Sequence, residues 1–383
     1  MGTVDERERQ HDDQQSAVFG DAVDGTDGTV FAGVDRRGRH GLGRITLNRP
    51  RALNALDHRM VRGITAVLTA WTDAPEVRVV VLQGAGERGL CAGGDMRALH
   101  GAVAGGNADD LAQARSFFRD EYRLNALIAR YAKPVLALMD GIVMGGGVGL
   151  ASHASHRVVT ERSRVAMPEV RIGLVPDVGG TWLLARAPGS TGLHAALTVA
   201  DLTAADAIAM GLADAQVPAD ALDDLLTTVA ELGIEEGWTG SISNAAEPEA
   251  VAASAIHAQR DWIDPCYAAP TVPEIVARLQ VRPEPAAQAA AAAITAGSPS
   301  SAVLTLAAIR AAGTDAVLEQ SLNREFAVVT ALLTGHDLAE GIRAQLIDKD
   351  RNPQWSPATL DAVGEQDVER TFRPADDEPF PGV

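Results

Sequence analysis

The alternation of strand-like and helix-like segments between residues 42 and 161 constrains this chain most. The segment "LGRITLN" (42–48) alternates apolar and polar residues, as a half-buried strand does. "DHRMVRGITAVLTAWT" (57–72) places Met60, Ile64, Val67, Leu68 and Trp71 at helical spacing, with Asp57 at the N-cap position. "VRVVVLQ" (77–83) is a β-branched run suited to a strand buried on both faces. "PVLALMDGIVMGGG" (134–147) begins as a strand and ends in glycines, "VGLASHAS" (148–155) reads as helix, and "HRVVTE" (156–161) reads as strand. Short links joining strand, helix and strand require parallel pairing, so an α/β fold is expected.

Beyond residue 200 the pattern changes. "DLTAADAIAMGLADAQV" (201–217) reads as a helix ending at Gly211 and then a short strand, and from about 219 the chain is almost wholly helical. "EEGWTGSISNAAEPEA" (235–250) has the Gly, Ser and Pro content of a linker, and "QAAAAAIT" (288–295) has high helix propensity. The expected organisation is an acidic, disordered tail over 1–29, a core over 30–235 and a helical region over 236–383 with a flexible end. The tail carries eight acidic residues, from Asp5 to Asp27. It lacks the apolar core of a secretory signal, and transit peptides are poor in acids.

Charge and cysteine content narrow the partners. A net charge of −18 disfavours nucleic acid and anionic membranes. No run approaches the ~18 uninterrupted apolar residues of a membrane span. The two cysteines, Cys91 and Cys266, offer neither a disulfide framework nor a zinc site and suit a reducing, cytoplasmic compartment. The nominal G-x-G-x-x-G at 84–89 is followed by "LCAGGD" rather than by a helix start, so a dinucleotide site is disfavoured. There is no P-loop and no G-x-S-x-G elbow. His153 and His156 lack a matching third ligand, so a structural role is expected for them.

Two glycine clusters each follow a strand: "LCAGGDM" (90–96) and "MGGGVGL" (144–150). Such loops can aim backbone N–H groups into a cavity, and two donors from two loops are what an oxyanion hole requires. Next comes "MPEVRIGLVPDVGGT" (167–181), where Glu169 and Asp177 interrupt an apolar run. Burying two carboxylates is costly, which favours a functional reason for keeping them. Fully extended, eight residues would part them by roughly 25 Å. Gly173 and Pro176 must therefore fold the loop back. A plain alternative makes Glu169 a strand-end charge and Asp177 the N-cap of a following helix.

Together, Ala92-Gly93-Gly94-Asp95, Gly145-Gly146-Gly147, Pro168-Glu169 and Pro176-Asp177-Val178-Gly179-Gly180-Thr181 resemble the crotonase (enoyl-CoA hydratase/isomerase) superfamily. "NRPRALNAL" (48–56) resembles its CoA-binding start, and "LTAADAIAMGLAD" (202–214) its helix–Gly–Leu turn. Within the superfamily, "FRDEYRLN" (118–125) and "GHDLAEGIRAQLIDKDRNPQW" (335–355) resemble the 3-hydroxyisobutyryl-CoA hydrolase branch. The resemblance implies a ββα spiral core carrying an extra helical C-terminal region. It implies hydrolysis of 3-hydroxyisobutyryl-CoA, with 3-hydroxypropionyl-CoA a second substrate, in valine breakdown.

By the same resemblance, Gly94 and Gly146 supply the oxyanion N–H groups. Glu169 attacks the thioester or activates water, and Asp177 positions the reactants and handles the proton. Glu121 meets the substrate hydroxyl, unless it is a solvated helix charge paired with Arg119 or Arg123. Arg51, Asn54, Ala55, Ala92, Asp95 and Met96 contact CoA. No cofactor or metal is implied, since CoA is part of the substrate, and a homo-oligomer is possible. Hydratases usually carry a second glutamate where Gly149 stands, and a glutamate placed there is expected to stand beside Glu169. The competing readings are a hydratase or isomerase acting on another acyl-CoA, and a catalytically silent CoA-binding scaffold. Release of free CoA from a saturated 3-hydroxyacyl thioester separates them.

Overall fold

A computed structural model describes residues 18–241 and 246–383. Among the described residues, nine strands form two sheets: β1 (Asp21–Ala22), β2 (Val30–Asp35), β3 (Leu42–Leu47), β4 (Val79–Gly84), β5 (Val135–Met139), β6 (Ile142–Met144), β7 (His156–Val159), β8 (Arg164–Ala166) and β9 (Ala215–Gln216). The larger sheet runs β1-β2-β3-β4-β5-β7-β9, and β6 pairs with β8 alone. From β3 to β9 every pair is parallel, in registers such as Ile45 with Leu82 and Leu82 with Ala137. Parallel neighbours need crossovers. The first is the helix His58–Trp71, which Asp57 caps by accepting the Met60 N–H at 2.9 Å.

The central strands are apolar on both faces because both are covered. One face puts Ile45, Val80, Leu82, Ala137 and Val159 into the main core with Met60, Ile64 and Leu68 of the 58–71 helix. The other puts Leu42, Val79, Val81, Leu136 and Val158 against Leu225, Leu226 and Val229 of the helix Leu222–Leu232. The C-terminal helices pack into the same main core, where Ile294, Leu322 and Phe326 meet residues of the spiral.

Two expectations need correction. Residues 1–17 of the acidic tail lie outside the described residues, but 18–29 are ordered. There β1 pairs antiparallel with β2, Thr26 is buried with its hydroxyl on the Val23 carbonyl at 2.7 Å, and Phe19 lies beneath the Arg44 guanidinium. The acids in this stretch sit at turn and edge positions, so their charges do not oppose folding. The linker expected over 235–250, and the boundary at 235/236, fall on helices Ile234–Ser241 and Ala246–Ala253. Residues 242–245 between them lie outside the described residues. The first of these helices forms because Ile234 and Trp238 reach the apolar face beneath helix 222–232. Gly237 lets that packing close: a Cβ there would stand 2.8 Å from the Val229 Cα.

Candidate active site

The two glycine loops meet edge to edge. Cys91 bridges to Val143 and Leu56 to Gly94, so the loop after β4 lies between the 48–56 segment and β6. The Gly93 carbonyl accepts the Leu56 N–H at 2.8 Å. Gly145, at φ +50, then turns the chain from β6 into the short helix Gly146–Ala151. No backbone carbonyl among the described residues takes the Gly94 or the Gly146 N–H. The two stand close together, since a Cβ on Gly146 would come within 3.5 Å of the Gly94 nitrogen. A Cβ at either glycine would displace the end of a neighbouring side chain. A side chain at Gly146 would strike Glu121 Oε1 at 2.5 Å, and one at Gly94 would meet Met96 at 2.8 Å.

Over this floor the loop 167–181 brings its two carboxylates to one cavity. Glu169 opens a single 3₁₀ turn, Glu169–Ile172, behind Pro168. Gly173, at φ +78, reverses the chain, and only glycine fits there because a Cβ would lie 2.3 Å from the Asp337 carbonyl oxygen. The reversal expected from Gly173 is thus observed. The cavity is small, about 50 Å3, and is lined by Gly94, Gly146, Glu121, Glu169 and Asp177 with Phe118, Leu174 and other apolar groups. Glu121, Glu169 and Asp177 are each at most 5% exposed. An outer cleft of about 380 Å3, lined by Leu56, His58, Asp95, Leu99 and Phe117, shares Met96 with the inner cavity.

Electrostatics separate the three carboxyls. Burial is the main cause in each case and raises all three. Glu121 and Glu169 are pushed well above the carboxylate range, with the nearby Asp177 charge adding to the effect. Glu169 Oε2 and Glu121 Oε1 have no hydrogen-bond partner among the described residues. Asp177 is raised less, to about 7, because the Tyr122 hydroxyl donates to its Oδ2 at 2.7 Å. Glu121 is not paired with an arginine. Arg119 goes to Asp377, and Arg123 goes to the Pro379 carbonyl and, at 4.0 Å, to Asp120. Asp177 is also not the side-chain cap of the helix Gly180–Ala185: Gly179 holds that position, with no side-chain cap of its own.

The outer residues divide. Ala92 and Met96 line the inner cavity, and Arg51 lies exposed on the 3₁₀ turn Pro50–Ala52, lining neither that cavity nor the outer cleft. Asp95 lines the outer cleft, while its carboxylate caps the helix Met96–Gly105 and pairs with Arg49 at 2.8 Å. Ala55 presents its carbonyl to the same Arg49. Asn54 corrects the expectation of a CoA contact. It is 1% exposed, its amide donates to the Ala85 and Gly89 carbonyls, and its oxygen accepts the Arg49 N–H. Asn54 therefore shapes the loop, with both polar atoms of its side chain engaged. Gly149 corrects another: it does not line the cavity, because a Cβ there would meet Val178 Cβ at 2.5 Å.

Sequence reasoning missed Tyr122, Asn125 and Glu325. Both polar side-chain atoms of Asn125 are buried without partners, one helical turn beyond Glu121. Glu325, 0% exposed, accepts the Gly179 N–H at 2.7 Å and the Thr181 N–H at 2.9 Å. The available signal was spacing. Phe118, Glu121, Tyr122 and Asn125 fall at i, i+3, i+4 and i+7, the inward face of the helix Ala108–Ala129.

A parallel spiral that sets paired glycine N–H groups under buried carboxylates defines an acyl-CoA enzyme of the crotonase class. The enoyl-CoA hydratase/isomerase family model matches residues 42–372, and the chain belongs to that family. It is 40% identical over 345 residues to the mitochondrial 3-hydroxyisobutyryl-CoA hydrolase of Danio rerio, covering 88% of each chain. The Homo sapiens enzyme of that name is 37% identical over 357 residues, covering 91% of this chain and 90% of the other. Among solved structures, a carnitinyl-CoA dehydratase from Mycobacterium thermoresistibile aligns with a TM-score of 0.85 and 47% identity, over 93% of this chain and 99% of that one. An enoyl-CoA hydratase from Rhodobacter sphaeroides aligns with a TM-score of 0.81 and 42% identity, over 90% and 97%.

Proposed function

We propose that this chain hydrolyses the thioester of a short 3-hydroxyacyl-CoA, with 3-hydroxyisobutyryl-CoA the first candidate. The observation that carries the reading is the carboxylate arrangement. Asp177, held by Tyr122, shares the cavity with Glu169, while the position of a second hydratase-type glutamate, Gly149, is packed against Val178. The names of the curated relatives favour this reading, and the names of the two solved structures favour hydration or dehydration.

In the proposed reaction the thioester carbonyl oxygen accepts the Gly94 and Gly146 N–H groups, which stabilise the negative charge that develops on it. Losing one such donor typically costs ~3–4 kcal/mol of transition-state stabilisation. Glu169, once ionised, either attacks the carbonyl carbon to form a mixed anhydride or takes a proton from an attacking water. In both routes the C–S bond breaks, the thiolate of CoA leaves and is protonated, and water supplies the hydroxyl of the product acid. Asp177 orients Glu169 or the water and takes up or returns the proton. Glu121, buried and without a cation, offers its carboxyl to the substrate 3-hydroxyl. Met96 and the neighbouring outer cleft receive the pantetheine arm, and the exposed Arg51 is the proposed contact for the CoA phosphates. A cytoplasmic location is part of the same proposal.

The test is thiol release. Purified protein with 3-hydroxyisobutyryl-CoA is expected to liberate free CoA, and crotonyl-CoA is expected to show no hydration at comparable rates. Rapid hydration without thiol release would overturn the hydrolase reading in favour of the hydratase.

A further inference from the structure

The turn that carries Asp177 stores backbone strain. Val178 lies at φ +54, a region a β-branched residue enters only at a cost, and Gly179 follows at φ +76. Two successive left-handed residues persist only where the surroundings impose them. Three side chains do so, Tyr122 and Glu325 buried and His153 partly so. His153 shares a hydrogen bond with the Val178 carbonyl at 2.8 Å, and Tyr122 holds the Asp177 carboxylate. Glu325, on the helix Leu318–Leu332, holds the segment just after Val178: one oxygen accepts the Gly179 N–H, the other the Thr181 N–H and hydroxyl.

This arrangement is costly for a mere helix cap. Elsewhere in the chain Thr203, Ser254, Thr271 and Ser298 cap their own helices with local, neutral hydroxyls. The six-residue helix Gly180–Ala185 instead takes its acceptor from a fully buried carboxylate about 145 residues away, with no ion pair to a cation among the described residues. Burial, with the Asp177 charge adding to it, pushes Glu325 up, to about 8, against the three donors that favour its charged form. Keeping such a group makes sense if the turn's conformation matters more than its stability.

We propose that Glu325 is a positioning residue: by gripping Gly179 and Thr181, directly after Val178, it fixes the turn that carries Asp177 into the cavity with Glu169. The inference rests on the reading of Asp177 as part of the reacting site. Glu325 touches no substrate. Its effect on the reaction passes through Asp177 alone.

A double-mutant cycle tests this, with kcat and KM for 3-hydroxyisobutyryl-CoA measured in wild type, Glu325→Gln, Asp177→Asn and the double variant. Glu325→Gln keeps the shape but turns an amide N–H toward a donor. It is expected to lower kcat at least ~10-fold with KM within about twofold, because CoA binding is untouched. The double variant is expected to be no slower than Asp177→Asn alone, within about twofold, since a residue acting through Asp177 has nothing left to position. Losses that multiply, or a wild-type kcat in Glu325→Gln, overturn the proposal while the hydrolase reading stands. A near-wild-type Asp177→Asn overturns the reading of Asp177, and the inference with it. If Glu325→Gln does not fold, Thr181→Val carries the same cycle. It removes only the hydroxyl contact and is expected to cost roughly 2–5-fold in kcat, again not multiplying with Asp177→Asn; no loss, or a multiplying one, overturns the proposal.

Discussion

Replacing Tyr122 by Phe removes one hydroxyl from a buried site and leaves the ring packing in place. That hydroxyl donates to Asp177 Oδ2 at 2.7 Å, and both residues are buried. A hydrogen bond to a charged group is worth ~1.5–3 kcal/mol. At about 1.36 kcal/mol per pKa unit, losing it should raise Asp177 by roughly 1–2 units above its present value of about 7. If the anionic form of Asp177 is required, kcat at pH 7 should fall roughly 5–50-fold and return to within about twofold of wild type by pH 9. The assay is a kcat profile from thiol release between pH 5.5 and 9.5. Its acid limb reports Glu169 and Asp177 as an interacting pair.

Stability should shift in step. Asp177 has a folded pKa above its unfolded one, so the folded state keeps a proton that the unfolded state has lost. Stability therefore falls as pH rises from about 4 to about 7, and in the variant the fall continues to about 8–9. The variant should melt near wild type at pH 5.5 and clearly below it at pH 8.5. An unmoved acid limb would refute the reasoning, because Tyr122 would then not govern the charge on Asp177.

Glu169→Gln is expected to cut kcat by at least ~10²–10³ while CoA-ester affinity, measured by calorimetry, is largely kept. Glu121→Ala should narrow the kcat/KM preference for 3-hydroxyisobutyryl-CoA over isobutyryl-CoA by slowing the hydroxylated ester more, since a site built for a hydroxyl discriminates through its own buried polar groups. Equal rates for the two esters in wild type would identify a general acyl-CoA thioesterase. Gly149→Glu is expected to lower Tm and thiol release together and to give no hydratase activity. Its Cβ would press into Val178, an overpacking that typically costs ~1–3 kcal/mol, and the burial of a new charge adds to it; hydration of crotonyl-CoA by this variant would contradict that packing.

Most of the core was legible because its signals are local. Asp57 and the period of 57–72 mark a helix that forms at His58–Trp71, and the β-branched run at 77–83 becomes β4. The linker expectation failed because glycine has two meanings. Gly237 looked like a breaker, yet it is a contact point where one helix backbone meets another, and only the third dimension tells these apart. The site divides in the same way. Glu169 and Asp177 stood out because they interrupt an apolar loop. Tyr122 and Glu325 lie on regular helices, where a tyrosine or glutamate is unremarkable until its burial is known. Gly149 shows the converse: its place after the glycine triplet suggested the cavity wall, but Val178, held in a left-handed turn, fills that space.

The four buried carboxyls around this turn, Glu121, Glu169, Asp177 and Glu325, have no arginine or lysine partner among the described residues. Their charge is therefore governed by which of them receives N–H or O–H donors. Asp177 has the Tyr122 hydroxyl, and Glu325 has two backbone N–H groups and a hydroxyl. Glu121 Oε1 and Glu169 Oε2 have none, and burial favours their neutral forms. The donors thus offset part of the effect of burial at Asp177 and Glu325, which rise to about 7 and about 8, and leave Glu121 and Glu169 without that help. A thioester enters such a pocket as a neutral acyl group. The acid formed by hydrolysis ionises, and an anion in a cavity already bounded by Asp177 is repelled. Hydration of an enoyl thioester creates no such charge, so this distribution of carboxyls helps expel the product of one of the two competing reactions and gives no advantage to the other.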